Sequence, residues 1–122
     1  MNDKYQKEVQ AKLTKNLLGM IVLRLIDHQS MHGYQIITKT RSIFGVYFGP
    51  STVYPLLSKL EERGYVNSEW NMTTEKPRKI FTITNTGKAM INSAETMLGL
   101  ICRTLKTFEK PVENTIVTPI TQ

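Results

Sequence analysis

The stretch Gly49-Pro50-Ser51-Thr52-Val53-Tyr54-Pro55-Leu56-Leu57-Ser58-Lys59-Leu60-Glu61-Glu62-Arg63-Gly64 decides the fold of this chain. Its apolar residues recur every three or four positions, which predicts an amphipathic helix; they are Val53, Leu56, Leu57 and Leu60. Pro55 is tolerated in the first turn of a helix, where the backbone N–H groups are unpaired. The helix should therefore begin near Ser51 or Thr52, either of which can cap it. It should end just before Gly64, which can adopt the left-handed exit.

The opposite face of this predicted helix is small and polar. Its residues are Ser51, Pro55 and Ser58, flanked by Thr52 and Lys59, with Tyr54 at the boundary. A backbone with such short side chains can approach base edges in a DNA major groove, and the helix N-terminus attracts phosphates. An ordinary surface helix with capping hydroxyls explains the same residues and is the favoured interpretation of the helix taken alone; the hairpin that follows reverses this preference.

A basic hairpin follows the helix. Tyr65–Met72 alternates in character and predicts a strand, Thr73–Pro77 predicts a turn, and Arg78–Thr84 predicts a return strand with Phe81 and Ile83 on one face. Its tip and return edge carry Lys76, Arg78 and Lys79. A polar-faced helix followed by a basic hairpin is the order of a winged helix-turn-helix, in which the wing holds the DNA backbone. A solvated turn, partly neutralised by Glu75, is the alternative.

The N-terminal half predicts further helices. Asp3–Leu13 is typical of an amphipathic helical arm, and Asn16–His28 is apolar nearly all round, as in a buried central helix; one helix or two remains open. Ser30–Gly33 is a predicted break, and Tyr34–Phe44 predicts a second short helix. The apolar stripe of that helix consists of Tyr34, Ile37 and Phe44, and Gly45 is expected to end the helix.

The last predicted helix is capped by Asn85 or Thr86 and runs to about Lys110. Its apolar positions alternate in steps of three and four, nearly as in a coiled coil; they are Met90, Ala94, Met97, Ile101, Leu105 and Phe108. A small domain has little core left to cover so long a stripe, so we expect a homodimer interface here. The tail 111–122 is expected to be flexible.

Composition sets the class. The 122 residues suit one domain, divided into a helical arm (1–15), a winged helix domain (16–86), a dimerisation helix (87–110) and a tail (111–122). The net charge of +6 favours polyanionic partners. A single cysteine, Cys102, and the absence of a signal peptide or a membrane-spanning segment indicate a cytoplasmic location.

Other chemistry has weak support. No phosphate loop, nucleophile–base set or carboxylate pair indicates an enzyme, and no cofactor is expected. A metal site at Asp27, His28, His32 and Cys102 is unfavoured, because the two histidines straddle the predicted break. A small aromatic effector is a possible partner, in a pocket framed by Tyr5, Tyr65, Trp70 and Met97. The alternative, which we favour, is that Trp70 anchors the hairpin to the core.

Several motifs resemble the PadR family of transcriptional regulators. They are His32-Gly33-Tyr34, Ser51-Thr52-Val53-Tyr54-Pro55-Leu56-Leu57, Glu62-Arg63-Gly64-Tyr65-Val66, Trp70, Pro77-Arg78-Lys79 and Ile83-Thr84-Asn85-Thr86-Gly87. The resemblance implies a dimeric repressor whose third helix reads DNA and whose wing holds the backbone. The implied contacts are Ser51, Thr52, Tyr54, Pro55, Ser58, Lys59, Arg78 and Lys79, to which the basic tip adds Lys76. One C-terminal helix is similar to the short subgroup of the family.

The sequence therefore predicts a mainly α fold with a small β-hairpin, a winged helix-turn-helix followed by a C-terminal dimerisation helix. The expected function is sequence-specific transcription regulation, as a homodimeric repressor on a palindromic double-stranded DNA operator. A winged-helix module for protein–protein interaction within a transcription complex is the alternative, which aromatic or leucine anchors on the third helix would favour.

Overall fold

The computed structural model of the chain describes residues 3–73 and 75–109. Within these ranges the elements, in chain order, are α1 (Asp3–Asn16), α2 (Leu18–His28), β1 (Met31–His32), α3 (Gly33–Phe44), α4 (Pro50–Glu62), β2 (Val66–Asn71), β3 (Arg78–Ile83) and α5 (Asn85–Lys106). The strands form one antiparallel sheet in the order β1-β3-β2. The predicted fold class is confirmed, with one more strand than expected. The predicted tail, 111–122, lies outside the described residues.

The core lies between α2, α3, α4 and the sheet. Its largest fully buried side chains come from every layer, and they are Val22, Ile26, Ile36, Thr40, Val53, Leu57, Val66 and Ile91. The predicted apolar face of α4 is confirmed, because Val53, Leu57 and Leu60 are buried and Leu56 packs against the core. Burial of this face leaves the opposite face of α4 in solvent.

The N-terminal half forms two helices rather than one. α1 ends at Asn16, and α2 begins at Leu18 after a turn residue, Leu17. Backbone hydrogen bonds still run through this joint, from Leu17 N to Leu13 O and from Ile21 N to Leu17 O, both at 2.9 Å. α2 is the buried helix that its sequence predicts, with Val22, Leu23 and Ile26 in the core.

The start of α4 differs from the prediction. The helix begins at Pro50, and the N-cap is Gly49 without a side-chain cap, so capping by Ser51 or Thr52 is wrong. The proline explains the shift, because a fixed φ and a missing N–H suit the first helical position. Pro55 consequently lies in the second turn, not the first. It cannot donate to the carbonyl of Ser51, which lies on the exposed face where water can satisfy it.

The predicted break before α3 contains β1, whose two residues pair with β3 in the register Met31↔Phe81 and His32↔Ile80. His32 then caps α3. The stripe predicted for α3 is wrong at Tyr34, which is exposed. The buried face contains the predicted Ile37 together with Gly33, Ile36 and Thr40, and Phe44 is half-buried.

Helix α5 begins with a different cap from the predicted Asn85 or Thr86. The N-cap is Thr84, whose hydroxyl accepts from Gly87 N at 3.0 Å and donates to Gly64 O at 2.6 Å. One side chain therefore joins the start of α5 to the left-handed residue that ends α4. The helix ends at Lys106, short of the predicted Lys110, which lies outside the described residues.

Candidate nucleic-acid interface

An open groove of about 570 Å³ separates α4 from the β2–β3 hairpin. Its walls come from the β1–α3 junction, α4, both strands and the hairpin turn. The residues lining it are His32, Gly33, Tyr34, Tyr54, Ser58, Trp70, Lys76, Pro77, Arg78, Lys79 and Phe81. The groove therefore combines aromatic rings with three cationic side chains, a surface suited to a polyanion that carries flat bases.

The structure places the nine predicted DNA-contacting residues in two groups. Five line the groove: Tyr54 and Ser58 from α4, and Lys76, Arg78 and Lys79 from the hairpin. The other four are exposed on α4 outside the groove lining: Ser51, Thr52, Pro55 and Lys59. All six α4 positions thus lie on the solvent side of a helix whose other side is fixed in the core, and a duplex can approach them.

Tyr54 is positioned by a glycine on the neighbouring helix. A Cβ atom placed on Gly33 would lie 2.6 Å from Cζ and 2.8 Å from the hydroxyl of Tyr54. The Tyr54 ring therefore occupies the space that any other side chain at position 33 would need. Tyr54 remains 45% exposed, so its outer edge faces the groove while its inner edge packs on Gly33.

The hairpin cations differ in how they are held. Arg78 Nη1 lies 2.8 Å from Nε2 of His32. Lys79 Nζ instead lies 3.8 Å from a carboxylate oxygen of Glu61 and 5.8 Å from the Phe81 ring centroid. Ser68 donates to the other oxygen of Glu61 at 2.6 Å. Lys79 is thus partly neutralised on the protein, whereas Arg78 is held by an uncharged partner.

The surroundings of His32 in the groove disfavour its protonated form. Burial, and then the positive charge of Arg78, lower the pKa of His32 below its ordinary value of 6.5. Both causes disfavour the protonated ring. The neutral imidazole is therefore the form that this site selects at neutral pH.

Sequence reasoning missed two groove residues and misplaced a third. His32 and Gly33 were interpreted as part of a break between helices, as a family motif and, for His32, as an unfavoured metal ligand, but not as residues of the DNA-binding surface. Trp70 is 63% exposed in the groove, so its predicted anchoring in the core is wrong. Val66 and Phe81 are the hairpin side chains buried in the core, and Ile83 packs against it, whereas Trp70 lies toward the turn.

The predicted effector pocket is not assembled within one chain. Trp70 lines the groove, Tyr65 lines a crevice of about 200 Å³ beside α5, and Tyr5 lies along α1. Met97 is exposed on α5. Binding of an aromatic effector stays a prediction, but these four residues do not line one pocket for it.

Metal and membrane sites were also sought in the described ranges. There, no three His, Cys, Asp or Glu side chains are grouped closely enough to hold a metal ion. Within those same ranges, none of the helices has both the length and the apolar character to span a bilayer.

A second exposed surface runs along α5. Its first turns pack on the core through Gly87 and Ile91. Met90 and Ala94 line a crevice that α5 forms with α2 and the end of α4. Further along, the predicted interface positions leave the core and are exposed; they are Met97, Ile101, Leu105 and Phe108.

The fold and the groove define a winged-helix protein of the class that regulates transcription. Residues 22–93 match the transcriptional regulator PadR-like family, and the chain belongs to that family. The predicted resemblance is thereby confirmed. Comparison with curated protein sequences found no significant match.

Solved structures agree with this assignment. A PadR family transcriptional regulator from Eggerthella lenta has a TM-score of 0.76 and 27% identity, over 89% of this chain and 96% of that chain. A conserved protein described as a potential transcriptional factor has 31% identity and a TM-score of 0.66, over 76% and 84%. A PadR-like regulator from Bacillus cereus, at 19% identity, shares the fold, with a TM-score of 0.72 over 83% and 99%.

Proposed function

We propose that the chain is a homodimeric, sequence-specific DNA-binding repressor that acts in the cytoplasm and has no enzymatic activity. The observation that carries this proposal is the groove, in which Tyr54 and Ser58 of α4 face Lys76, Arg78 and Lys79 of the hairpin. In this function α4 is the recognition helix, and the β2–β3 hairpin is the wing that contacts the phosphate backbone.

Base reading is assigned to the exposed face of α4. Ser51, Thr52 and Ser58 offer hydroxyls that donate or accept, and Pro55 offers an apolar surface to a thymine methyl. Lys59 pairs with a phosphate. The N-cap Gly49 has no side chain to cap α4, so the amide of Ser51 can donate to a phosphate, whereas Thr52 N already donates to Gly49 O at 3.0 Å.

Dimerisation is assigned to the far half of α5. Met97, Ile101 and Leu105 fall within one face of this helix, and Phe108 follows in the turn after it; Leu105 and Phe108 are 64% and 66% exposed. Apolar side chains this exposed favour a partner. Nearby, Leu13, Met20, Ile21, Phe44 and Leu98 line an apolar crevice of about 330 Å³ between α1, α2, α3 and α5. A second copy can insert apolar side chains there.

The experiment is a selection of bound duplexes from a random DNA pool. A two-fold symmetric dimer predicts a palindromic site whose half-sites are separated by about one helical turn, roughly 34 Å. Ser51→Ala and Pro55→Ala should change which sequence is recovered, because these residues face the bases. A recovered pool without symmetry or sequence preference contradicts the proposal.

One observation favours a second candidate function, a module for protein–protein interaction. Tyr34, Tyr54 and Trp70 present exposed aromatic rings along the groove, and such rings are common anchors of protein interfaces. Random duplex DNA at low salt separates the two functions. A DNA-binding protein shows affinity that falls steeply with salt, whereas a pure interaction module shows no salt-sensitive DNA binding.

A further inference from the structure

Two adjacent residues contact both walls of the groove. His32 Nε2 lies 2.8 Å from Arg78 Nη1 on the wing. Its neighbour Gly33 is buried beneath the ring of Tyr54 on α4. The backbone of this junction is itself fixed, because β1 pairs with β3 and α3 begins at once. A single dipeptide thus touches one side chain of the recognition helix and one of the wing.

Gly33 acts through the space that it leaves empty. A Cβ at this position would lie within 3 Å of Tyr54 Cζ and its hydroxyl. These atoms are at the far end of a side chain, so an alanine would push the ring aside rather than distort the backbone. Gly33 has no left-handed conformation to maintain, because among the described residues positive φ glycines are Gly45 and Gly64. Contact with Tyr54 is therefore the reason for a glycine here.

His32 acts through a lone pair. A guanidinium only donates hydrogen bonds, so Arg78 needs Nε2 of His32 as an acceptor. The other ring nitrogen, Nδ1, lies 3.3 Å from the backbone N–H of Gln35, which is also a donor. A neutral imidazole has one acceptor nitrogen, so the ring satisfies one of these donors at a time. The shorter contact, to Arg78, requires the tautomer that is protonated at Nδ1.

We propose that the His32-Gly33 junction is a positioning element that sets the wing relative to the recognition helix. Gly33 seats the ring of Tyr54, and His32 holds Arg78 toward the groove. This inference rests on the proposed function, since it assigns to the junction the spacing of two DNA-contacting side chains. Neither His32 nor Gly33 itself needs to touch a base.

The first test does not involve DNA. Nitrogen-edited NMR spectra of the two histidine rings distinguish the tautomers of a neutral imidazole. The wild-type chain should show His32 protonated at Nδ1, and Arg78→Gln should shift the Nε2 resonance of His32 without moving that of His28. A His32 ring protonated at Nε2 in both proteins overturns the proposed contact, whether or not the chain binds DNA.

The second test measures duplex affinity of two junction variants. Gly33→Ala displaces Tyr54, and His32→Asn keeps a good helix cap but is too short to reach Arg78. Each should weaken binding of the selected duplex by about 10-fold, as for the loss of one base or phosphate contact, and thermal unfolding shows that each variant is still folded. The matched controls are Gly19→Ala, where a Cβ meets Leu56 at an ordinary 3.8 Å, and His28→Asn at an exposed position. Both should bind as the wild type does.

A positioning role also predicts non-additivity. His32→Asn should have no further effect on affinity in an Arg78→Gln background, and Gly33→Ala should have none in a Tyr54→Ala background. Full additivity in both pairs overturns the proposal. If the wild-type chain binds the duplex and both junction variants bind it equally well, the positioning role is overturned but the proposed function is not. A wild-type chain that binds no duplex overturns the proposed function, and this role with it.

Discussion

Arg24 of α2 and Glu95 of α5 form a two-pronged ion pair. Arg24 Nε donates to Glu95 Oε2 at 2.8 Å, and Nη2 lies 2.5 Å from Oε1. Arg24 also pairs with Asp27 and donates to Asn92 at 3.1 Å. This network joins the buried central helix to the helix assigned to dimerisation, next to the turn where α5 leaves the core.

The pair predicts a pH-dependent contribution to stability. The hydrogen bond from Arg24 lowers the pKa of Glu95 below its ordinary value of 4.5. A lowered folded-state pKa stabilises the fold above the unfolded-state pKa, and this contribution is lost as the pH falls through the folded-state value. Both side chains are well exposed, so Glu95→Gln should cost about 0.5–1 kcal/mol at neutral pH and less in acid. Thermal unfolding across this range measures it, with the exposed Glu69→Gln as control. A loss that is as large below the folded-state pKa of Glu95 as it is at neutral pH contradicts the pairing.

Thr84 predicts the cost of losing one cap. Thr84→Val removes the hydroxyl that accepts from Gly87 N and donates to Gly64 O, so it should lower the free energy of unfolding by about 1–2 kcal/mol. Urea unfolding measures this change. Thr84→Ser should recover most of the loss, and Thr86→Val, at an exposed position of the first turn, should cost little. A fold insensitive to Thr84→Val means that water replaces the hydroxyl at no cost.

The wing cations should contribute unequally to DNA binding. Arg78→Ala should weaken all duplexes about equally and reduce the salt slope by about one unit per wing. Lys79→Ala should have a smaller effect, because Lys79 must first leave Glu61, 3.8 Å away. Titrations at several salt concentrations measure both. Lys12→Ala on α1 removes the same charge far from the wing and controls for net charge. A Lys79→Ala effect as large as that of Arg78→Ala contradicts this ranking.

The recognition helix and the wing cations show which features the sequence predicts and which it does not. The spacing of Val53, Leu57 and Leu60 fixes which face of α4 is buried, and hence which residues face solvent. That spacing is local, so it can be read from the chain. The partners of Lys79 and Arg78 come from α4 and β1, and only the packing of separate elements brings them together.

Shorter signals failed for related reasons. β1 has two residues, too few to show an alternating pattern. Tyr34 is apolar enough to suggest a buried stripe, but the close approach of Tyr54 makes Gly33 the buried residue of that turn. The N-cap of α4 is Gly49 rather than the predicted Ser51 or Thr52, because Pro50 suits the first helical position. In each case a tertiary contact or a backbone constraint outweighed a side-chain preference.

The far half of α5 predicts an interface that one charge can disrupt. Leu105→Asp places a carboxylate on the exposed apolar face and should convert a dimer to a monomer, since an unpaired charge at a buried contact is costly. Sedimentation equilibrium measures the mass. Thr96→Asp, on the opposite side of the same helix, adds the same charge and should leave the dimer intact. Dimers that survive Leu105→Asp and Ile101→Asp together exclude this face as the interface.

His32 predicts a second pH dependence of stability, in which the titrating group is a base rather than a carboxylic acid. Its neutral form is favoured in the fold by burial and by Arg78, and the other titratable groups around it are Tyr34 on α3, Tyr54 on α4, and Glu75 and Lys76 on the wing. Because the unfolded chain binds the proton more readily, the stability contributed by the neutral ring is complete above pH 6.5 and is lost as the pH falls below 6.5 toward the lowered pKa of the folded state.

Two variants separate the causes of this dependence. His32→Asn should flatten the stability curve between the unfolded- and folded-state pKa values of His32. Arg78→Gln should reduce the loss of stability without abolishing it, because burial is the larger cause of the lowered pKa and remains in place. Urea unfolding at a series of pH values gives each free energy. A wild-type curve that rises as the pH falls through 6.5 would mean that the folded protein prefers the charged ring, and that Arg78 does not lie beside it in solution.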